Sequence, residues 1–228
     1  MNPILQKQPA YDVAVGQVAR NKVLRNTFWL LALSMIPTVL GAFVGVSMQL
    51  QIFSGFMGFI VFMAIAFGFM YAIEKTKESA VGVFVLLGFT FFMGLMLTPL
   101  LRHTLGFSNG GSLIMTAFGG TAAVFAVMAS IATTTKRDFS GMGSWLTAGA
   151  VVILLAIVAN IFLQMSILTI VISVLMIAVF SAFILYDVQR VVNGGETNYI
   201  TATLAIYLDV FNVFTALLRL LGIMGGDD

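Results

Sequence analysis

Two aspartates, Asp187 and Asp209, lie inside or at the edge of segments that are otherwise apolar enough to sit in a lipid bilayer. A charged side chain at the centre of a membrane costs roughly 2.5–3.5 kcal/mol on insertion scales, so an acid at that depth indicates a functional site by default. Two carboxylates in a low-dielectric site resist ionising together, and such a pair would share a proton and titrate as one coupled unit. Oxygen ligands also suit Ca²⁺, although two carboxylates provide only a weak calcium site.

The composition places these acids in a membrane protein. The 228 residues are 60% hydrophobic and 9% charged, whereas globular chains carry about 25% charged residues. The chain has no cysteine and one histidine, which excludes thiolate chemistry and multi-histidine metal sites. No nucleotide-binding loop, catalytic constellation or basic stripe is present. We therefore expect a protein that is not an enzyme, holds no cofactor and binds no nucleic acid.

Seven apolar segments are each long enough to cross a bilayer as a helix, which takes about 20 residues. Membrane β-strands would be shorter and would alternate in polarity. The sequence therefore predicts an all-α integral membrane fold with seven transmembrane helices in one domain over residues 27–228, preceded by a tail over residues 1–26. The predicted spans are 28–47, 52–73, 80–101, 112–133, 145–164, 167–186 and 199–221.

Lysine and arginine are distributed unevenly between the two sides of the predicted bundle. Nine of the eleven basic residues fall on the side of the N-terminus, and only Arg102 and Arg219 fall on the other. Cytoplasmic loops carry the excess of basic residues in membrane proteins. We therefore predict a cytoplasmic N-terminus and, with seven spans, a C-terminus on the outer side of the membrane.

The last predicted span places Asp209 deep within the membrane. Asp209 lies ten residues into this span, or about 15 Å at 1.5 Å per residue, close to the middle of a hydrocarbon core about 30 Å thick. Small and polar residues recur around it at spacings of three and four, so this stripe must face protein or water. The stripe consists of Ala202, Ala205, Asp209, Asn212, Ala216 and Arg219. Asn212 and Arg219 are its candidate supporting polar residues.

The preceding span delivers Asp187 to its cytoplasmic end, and two interpretations remain open there. Asp187 would approach Asp209 if the last helix sits slightly toward the cytoplasm or is partly unwound. Alternatively, Asp187 is an interfacial acid paired with Arg190, one helical turn away.

Three stretches carry a resemblance to a known family: ILYDVQ at 184–189, YLDVFNVF at 207–214 and LLRLLGI at 217–223. With them, the chain resembles the Bax inhibitor-1 (transmembrane Bax inhibitor motif) family over essentially its whole length. KVLRNT at 22–27, VANIFLQ at 158–164 and GGETNYI at 194–200 resemble its bacterial YccA branch.

The resemblance implies a seventh helix at the centre of the bundle, wrapped by the other six. It also implies a pH-gated calcium leak in which Asp187 and Asp209 occupy the positions of a di-aspartyl pair. Family members with this function place an arginine near the end of the second span, where it latches the pair closed. This sequence has YAIEKTKES at 71–79, without an arginine, and Lys75 and Lys77 are the candidate substitutes.

Three functions follow as hypotheses. The first is a pH-sensitive calcium or cation leak channel of the bacterial inner membrane, with Asp187 and Asp209 as sensor and ion-interacting pair. The second, implied by the YccA branch, is a modulator of a membrane-bound AAA protease that acts by protein contact through residues 1–26. The third is a proton-coupled exchanger that uses the same two acids. The lipid bilayer, calcium and protons are the expected partners in the first and third.

Overall fold

The structure is a computed structural model that describes residues 8–50 and 55–225. Within these ranges every regular element is helical, and no strand is present. A 3₁₀ turn at Ser140–Met142 leads into the sixth helix. The α-helices are α1 (Gln8–Ser47), α2 (Gly55–Thr76), α3 (Ala80–Met96), α4 (Thr98–Leu105), α5 (Gly110–Thr134), α6 (Gly143–Leu163), α7 (Ser166–Val192) and α8 (Tyr199–Gly225).

Seven stretches of these helices are long and apolar enough to cross a membrane, which confirms the predicted all-helical, seven-span fold. The first such stretch is Arg20–Ser47, within α1. Because α1 runs without a break from Gln8 to Ser47, the structure has no helix end at residue 26. The division into a tail and a membrane domain stays a prediction, and residues 1–7 of that tail lie outside the described residues.

The third span is interrupted near its end, which the sequence analysis did not predict. The helix stops at Met96 and resumes as α4 at Thr98, with Pro99 in the first turn of the new helix. Proline has no N–H and its ring crowds the carbonyl four residues earlier, so a continuous helix is disfavoured there. The freed carbonyl oxygen of Leu95 instead accepts a hydrogen bond from the Thr98 hydroxyl at 2.6 Å.

The last span, α8, packs against α1, α2, α3, α4, α5 and α7. The remaining helix, α6, packs against α7 and α2, and no backbone contact joins it to α8 within the described chain. A ring of all six other spans around the last one is therefore not confirmed. The core nevertheless lies along α8, where Ile206, Tyr207 and Val213 are almost completely buried.

A buried hydrogen bond ties α8 to α1. The Tyr207 hydroxyl lies 2.9 Å from the Thr38 hydroxyl and 3.4 Å from the carbonyl oxygen of Thr90 in α3. The Tyr207 ring packs edge-on against Phe89. By contrast, Trp29 and Trp145 are 73% and 81% exposed, as expected for aromatic side chains at a lipid-facing surface.

The helix ends form two faces. The face that carries the described basic residues of α1, the α2–α3 turn, the α5–α6 loop and the α7–α8 turn is called the basic face here, and the other is the opposite face. On the basic face, the Asn198 side chain donates to the Lys77 carbonyl oxygen at 2.9 Å. On the opposite face, the Asn109 side chain donates to the carbonyl oxygen of Gly225 at the end of α8. The two ends of α8 are therefore anchored to different loops.

Two glycines allow α1 and α3 to cross closely. A Cβ atom added at Gly41 would overlap the carbonyl oxygen of Phe91, and one added at Gly94 would overlap that of Thr38. Both obstacles are backbone atoms, which cannot rotate away. Small residues at such crossings let membrane helices gain van der Waals contact.

We expect the substitution Gly41→Ala to lower the free energy of unfolding by about 1–3 kcal/mol, the usual cost of overpacking a filled interior. The matched control is Gly68→Ala in α2, where no atom lies within 4 Å of the added methyl group. Thermal unfolding in detergent checks both variants. An unfolding temperature for Gly41→Ala equal to that of Gly68→Ala would contradict the close crossing.

Candidate functional site

The turn between α7 and α8 sets the relative position of the two acids. α7 ends at Val192, and Gly194 follows with φ +79°, a left-handed conformation that glycine adopts without steric cost. Asn198 then accepts hydrogen bonds from the backbone N–H groups of Ile200 and Thr201, at 2.8 and 3.3 Å. This is the pattern of a helix N-cap, so α8 has a defined start.

Asp187 and Asp209 face each other across the α7–α8 hairpin, and their carboxyl groups lie within hydrogen-bonding reach. The Asp187 side chain is 12% exposed and Asp209 is 5% exposed. α8 continues as a helix through Asp209, so the approach needs no unwinding. By helical rise, Asp209 lies about 15 Å from the start of α8 and Asp187 only about 7 Å from the end of α7. α8 therefore begins nearer to the basic face than α7 ends.

Asp209 is short of hydrogen-bond donors. Its Oδ2 atom is buried and has no hydrogen-bond partner within the described residues. A buried carboxylate without a donor is costly, because neither water nor protein compensates its charge. A proton held between Asp187 and Asp209 would supply the missing hydrogen bond, since a protonated carboxyl group is a donor.

Arg190 also contacts the pair. Its Nη1 atom lies 3.5 Å from Asp187 Oδ1, and its Nη2 atom lies 3.7 Å from Glu196 Oε2. Both distances exceed the 2.7–3.2 Å of strong hydrogen bonds, so the guanidinium is shared between two carboxylates. The two interpretations of Asp187 therefore meet in one arrangement, because Asp187 contacts Arg190 on one side and Asp209 on the other.

The other two candidate residues lie away from the pair. The Asn212 side chain donates to the carbonyl oxygen of Leu208 in its own helix at 2.8 Å. Arg219 follows Asp209 by ten residues, about 15 Å along α8, and lines a separate cavity near the opposite face. Their supporting roles at the acid pair stay predictions.

Neither lysine near the end of the second span contacts the acids within the described residues. The Lys77 ammonium pairs with Glu74, whose hydrogen bond raises the pKa of Lys77. Lys75 lies over the ring of Tyr71, 5.5 Å from its centroid. Arg190 is therefore the described cation that contacts Asp187.

A calcium ion at the pair would have few ligands. No group of three or more histidine, cysteine, aspartate or glutamate side chains is arranged to hold a metal among the described residues. Ca²⁺ takes six to eight oxygen ligands, so Asp187 and Asp209 provide at most a fraction of its shell. An open groove between α6 and α7, near Ser144 and Tyr186, does not include either acid.

Comparison with known proteins assigns the family. Residues 20–226 match the family described as inhibitor of apoptosis-promoting Bax1. The chain belongs to the Bax inhibitor-1 family. It is 37% identical over 210 residues to the Escherichia coli protein named modulator of FtsH protease YccA, which covers 92% of this chain and 94% of that protein.

Other bacterial relatives cover the chain equally well. An uncharacterized protein of Pseudomonas aeruginosa is 40% identical over 206 residues, 90% of this chain and 91% of its own length. An uncharacterized protein of Neisseria meningitidis is 35% identical over 222 residues, 96% of this chain and 98% of its own. The resemblance to the bacterial YccA branch of the Bax inhibitor-1 family is therefore confirmed.

In this Bax inhibitor-1 family chain, Gln189 is a site neighbour that the sequence analysis missed. Its side-chain oxygen accepts from the Phe139 backbone N–H at 2.7 Å, and its amide nitrogen donates to the Arg137 carbonyl oxygen at 2.7 Å. Gln189 is only 4% exposed. It clamps the α5–α6 loop to α7, two residues after Asp187. The signal available in the sequence was one amide side chain in an apolar helix, but its partner lies 50 residues away.

Glu196 is the second missed residue. One of its oxygens accepts from the backbone N–H groups of Thr197 and Asn198 at 3.0 Å, while the other faces Arg190. Glu196 thus joins the start of α8 to the cation beside the acid pair. A carboxylate in a turn just before a helix start is a recognisable signal, but its contact with Arg190 depends on how the turn folds.

We expect Gln189→Leu to release the α5–α6 loop. The substitution removes the hydrogen bonds to the Phe139 N–H and the Arg137 carbonyl oxygen, at a cost of about 0.5–1.5 kcal/mol for each bond. Limited trypsin digestion in detergent measures the effect, because Lys136 and Arg137 are the cleavage sites in this loop. The control is Asn193→Leu, at an exposed position at the end of the same helix. Equal cleavage rates in the two variants would refute the clamp.

Proposed function

We propose that this protein is a cation leak channel, with Ca²⁺ as the transported ion, gated by protonation of Asp187 and Asp209. The observation that carries the proposal is the buried Asp209 carboxyl group, which faces a second carboxyl group and has an oxygen without a described donor. A structural acid would be expected to have a fixed donor or cation of its own. The proposal requires no catalytic activity and no cofactor.

The gate is a proton that holds α7 and α8 together. With one proton between them, Asp187 and Asp209 form a hydrogen bond across the hairpin. When the proton leaves, two carboxylates face each other, and like charges about 4 Å apart repel by about 4 kcal/mol at an effective dielectric constant of 20. That energy corresponds to about a thousandfold change in a two-state equilibrium, which suffices to separate the helices.

Arg190 and Glu196 connect this gate to the basic face. Arg190 contacts Asp187 and Glu196 at similar distances, 3.5 and 3.7 Å, so neither ion pair dominates. If Asp187 were protonated, the Arg190 guanidinium would pair mainly with Glu196. If Asp187 were ionised, the guanidinium would pair with Asp187 again. We infer that Arg190 provides the latching cation that this chain lacks near the end of the second span.

Weak ion coordination suits a leak. A pore must bind an ion well enough to admit it and loosely enough to release it. Two carboxylates, without the additional ligands of a closed calcium cage, meet that requirement. A proton-coupled exchanger would use the same acids but would need an opposing proton gradient for every ion moved.

The orientation follows from the charge distribution. The protein is a multi-pass membrane protein, and an Escherichia coli relative is named inner membrane protein YccA. We infer that this chain resides in the bacterial inner membrane with its basic face toward the cytoplasm, because cytoplasmic loops carry the excess of lysine and arginine. The C-terminus then lies on the periplasmic or external side.

We expect Asp209→Asn to abolish the pH dependence of Ca²⁺ flux into liposomes that contain the protein. Asparagine cannot titrate, and its amide donates permanently to Asp187, as the shared proton would. Flux should therefore be low and should stay constant as pH is varied across the neutral range. A fluorescent calcium indicator inside the vesicles measures it, with and without an imposed proton gradient.

The control for this experiment is Asp138→Asn in the α5–α6 loop. The Ser140 backbone N–H and hydroxyl hold the pKa of the Asp138 carboxyl below its usual value, so this acid stays ionised throughout the neutral range. Asp138→Asn should keep the pH profile of the unmodified protein. A pH-dependent flux in Asp209→Asn as steep as in the control would sink the gating proposal, and flux that requires a proton gradient would indicate exchange.

A second candidate function is modulation of a membrane-bound AAA protease by direct contact. The observation that favours it is the 37% identity, over most of both chains, to a protein named modulator of FtsH protease. The first span begins at Arg20 within α1, and we infer that the residues before it make the contact. The acid pair has no necessary part in this function.

We expect removal of residues 1–19 to abolish protease modulation while the span from Arg20 to Ser47 stays intact. The assay is degradation of a membrane substrate by FtsH in proteoliposomes, with and without this protein. A tail of equal length made of glycine and serine controls for chain length, and Asp209→Asn controls for the acid pair. Under this function the tail variants lose modulation and Asp209→Asn keeps it; the reverse pattern would exclude contact through the tail.

A further inference from the structure

A second polar feature lies on the opposite face, around Arg219. A cavity of about 230 Å³ opens there between α4, the start of α7 and the end of α8. Its lining includes Leu100, His103 and Thr169 besides Arg219 and Gly222. One water occupies roughly 30 Å³ in the liquid, so the cavity has room for a polyatomic ion.

The Arg219 guanidinium lacks an acceptor among the described residues. No hydrogen bond or ion pair involves it there, although its side chain is half-buried. Every acidic side chain that the structure describes lies toward the basic face, except Asp209, which is about 15 Å away along α8. A guanidinium carries five N–H donors and cannot lose its charge in a protein. We therefore expect the Arg219 guanidinium to bind an anion that the described residues do not supply.

The other polar groups of the cavity are already engaged. The Thr104 hydroxyl donates to the Leu100 carbonyl oxygen at 3.0 Å. The Thr169 hydroxyl accepts from the Asn160 side chain at 2.7 Å and donates to the Met165 carbonyl oxygen at 3.2 Å. These hydroxyl groups do not satisfy Arg219. His103, packed edge-on against Phe107, also lines the cavity, and its imidazole ring can donate an N–H hydrogen bond.

The position of Arg219 identifies the class of anion. It lies 20 residues after the start of α8, about 30 Å along the helix, which equals the thickness of a hydrocarbon core. We therefore expect the guanidinium near the headgroup layer of the opposite face. Arginine binds phosphate in a bidentate geometry that lysine cannot reproduce. Apolar lining from Leu100, Leu218 and Ile223 excludes water and strengthens the charge interaction. We propose that this cavity binds a phosphate group through Arg219, supplied by an anionic phospholipid headgroup or by free phosphate.

Native mass spectrometry of the full-length protein, released from nanodiscs, tests lipid binding. Discs of phosphatidylcholine with a minor fraction of phosphatidylglycerol supply the anionic headgroup. We expect one phosphatidylglycerol to stay bound to the unmodified protein, and Arg219→Gln to reduce this retention by about tenfold or more. Arg219→Lys should fall between them, because it keeps the charge and loses the fork. Arg102→Gln is the control, since Arg102 is an exposed arginine on the same face that does not line the cavity.

Gly222 provides a test that leaves the charge in place. A Cβ atom there would lie 3.8 Å from Phe107 and 3.9 Å from Thr104, in ordinary van der Waals contact. The backbone therefore tolerates a side chain here, and the longer side chain of Gly222→Leu should fill the cavity and abolish binding. Thermal unfolding checks that each variant is folded, and Arg219→Lys decides the question if Gly222→Leu is not.

The source of the phosphate is distinguished by a second arm. Calorimetric titration of inorganic phosphate into discs of phosphatidylcholine alone tests the free ion. Binding of either probe that is lost in Arg219→Gln and kept in Arg102→Gln supports the proposal. Absence of both, or equal loss in the two arginine variants, overturns it. Binding seen only after Asp227 and Asp228, which lie outside the described residues, are changed to asparagine would show that the chain's own carboxylates fill the cavity, which also overturns it.

Discussion

A carboxyl group buried in the middle of a membrane bundle must have its charge removed or compensated, and the structure is arranged around that requirement. Asp209 is 5% exposed and meets Asp187 instead of a cation. A fixed ion pair at this position would stay charged across the neutral pH range. Under the proposed function a proton shared with Asp187 would remove one of the two charges, and the energy of the α7–α8 hairpin would then depend on pH.

The polar groups of the hairpin form a chain from the interior to the basic face. Asp209 faces Asp187, Asp187 contacts Arg190, and Arg190 contacts Glu196, whose other oxygen accepts from backbone N–H groups just before α8. Under the proposed function, a change of protonation at Asp187 or Asp209 would therefore be linked to the segment that begins α8. Gln189 holds the α5–α6 loop to this part of α7. The loop is therefore attached to α7 two residues after Asp187.

Run length and hydropathy were sufficient to predict the seven spans, because both depend on local composition. The break at Leu97 was readable from Pro99 in principle, but proline is tolerated often enough in membrane helices that its presence alone does not predict a stop. The Gln189 clamp and the sharing of Arg190 with Glu196 could not be predicted, since they depend on which loops meet. The separation of α6 from α8 could not be predicted, because the hydropathy of a segment does not show which other helices it packs against.

Under the proposed channel function, a cation that moved along α8 would meet groups of opposite charge in its two halves. The acid pair would attract the cation in the half toward the basic face, whereas Arg219, about 15 Å farther along the same stripe, would repel it near the opposite face. A guanidinium that has no acceptor among the described residues, in a partly apolar cavity, would be a strong barrier, because its field is weakly screened there. A phosphate group bound to Arg219 would neutralise that charge. Cation passage along α8 and anion binding at Arg219 would then be coupled, so that the lipid or ion on one face sets the barrier for an ion admitted by the acids on the other.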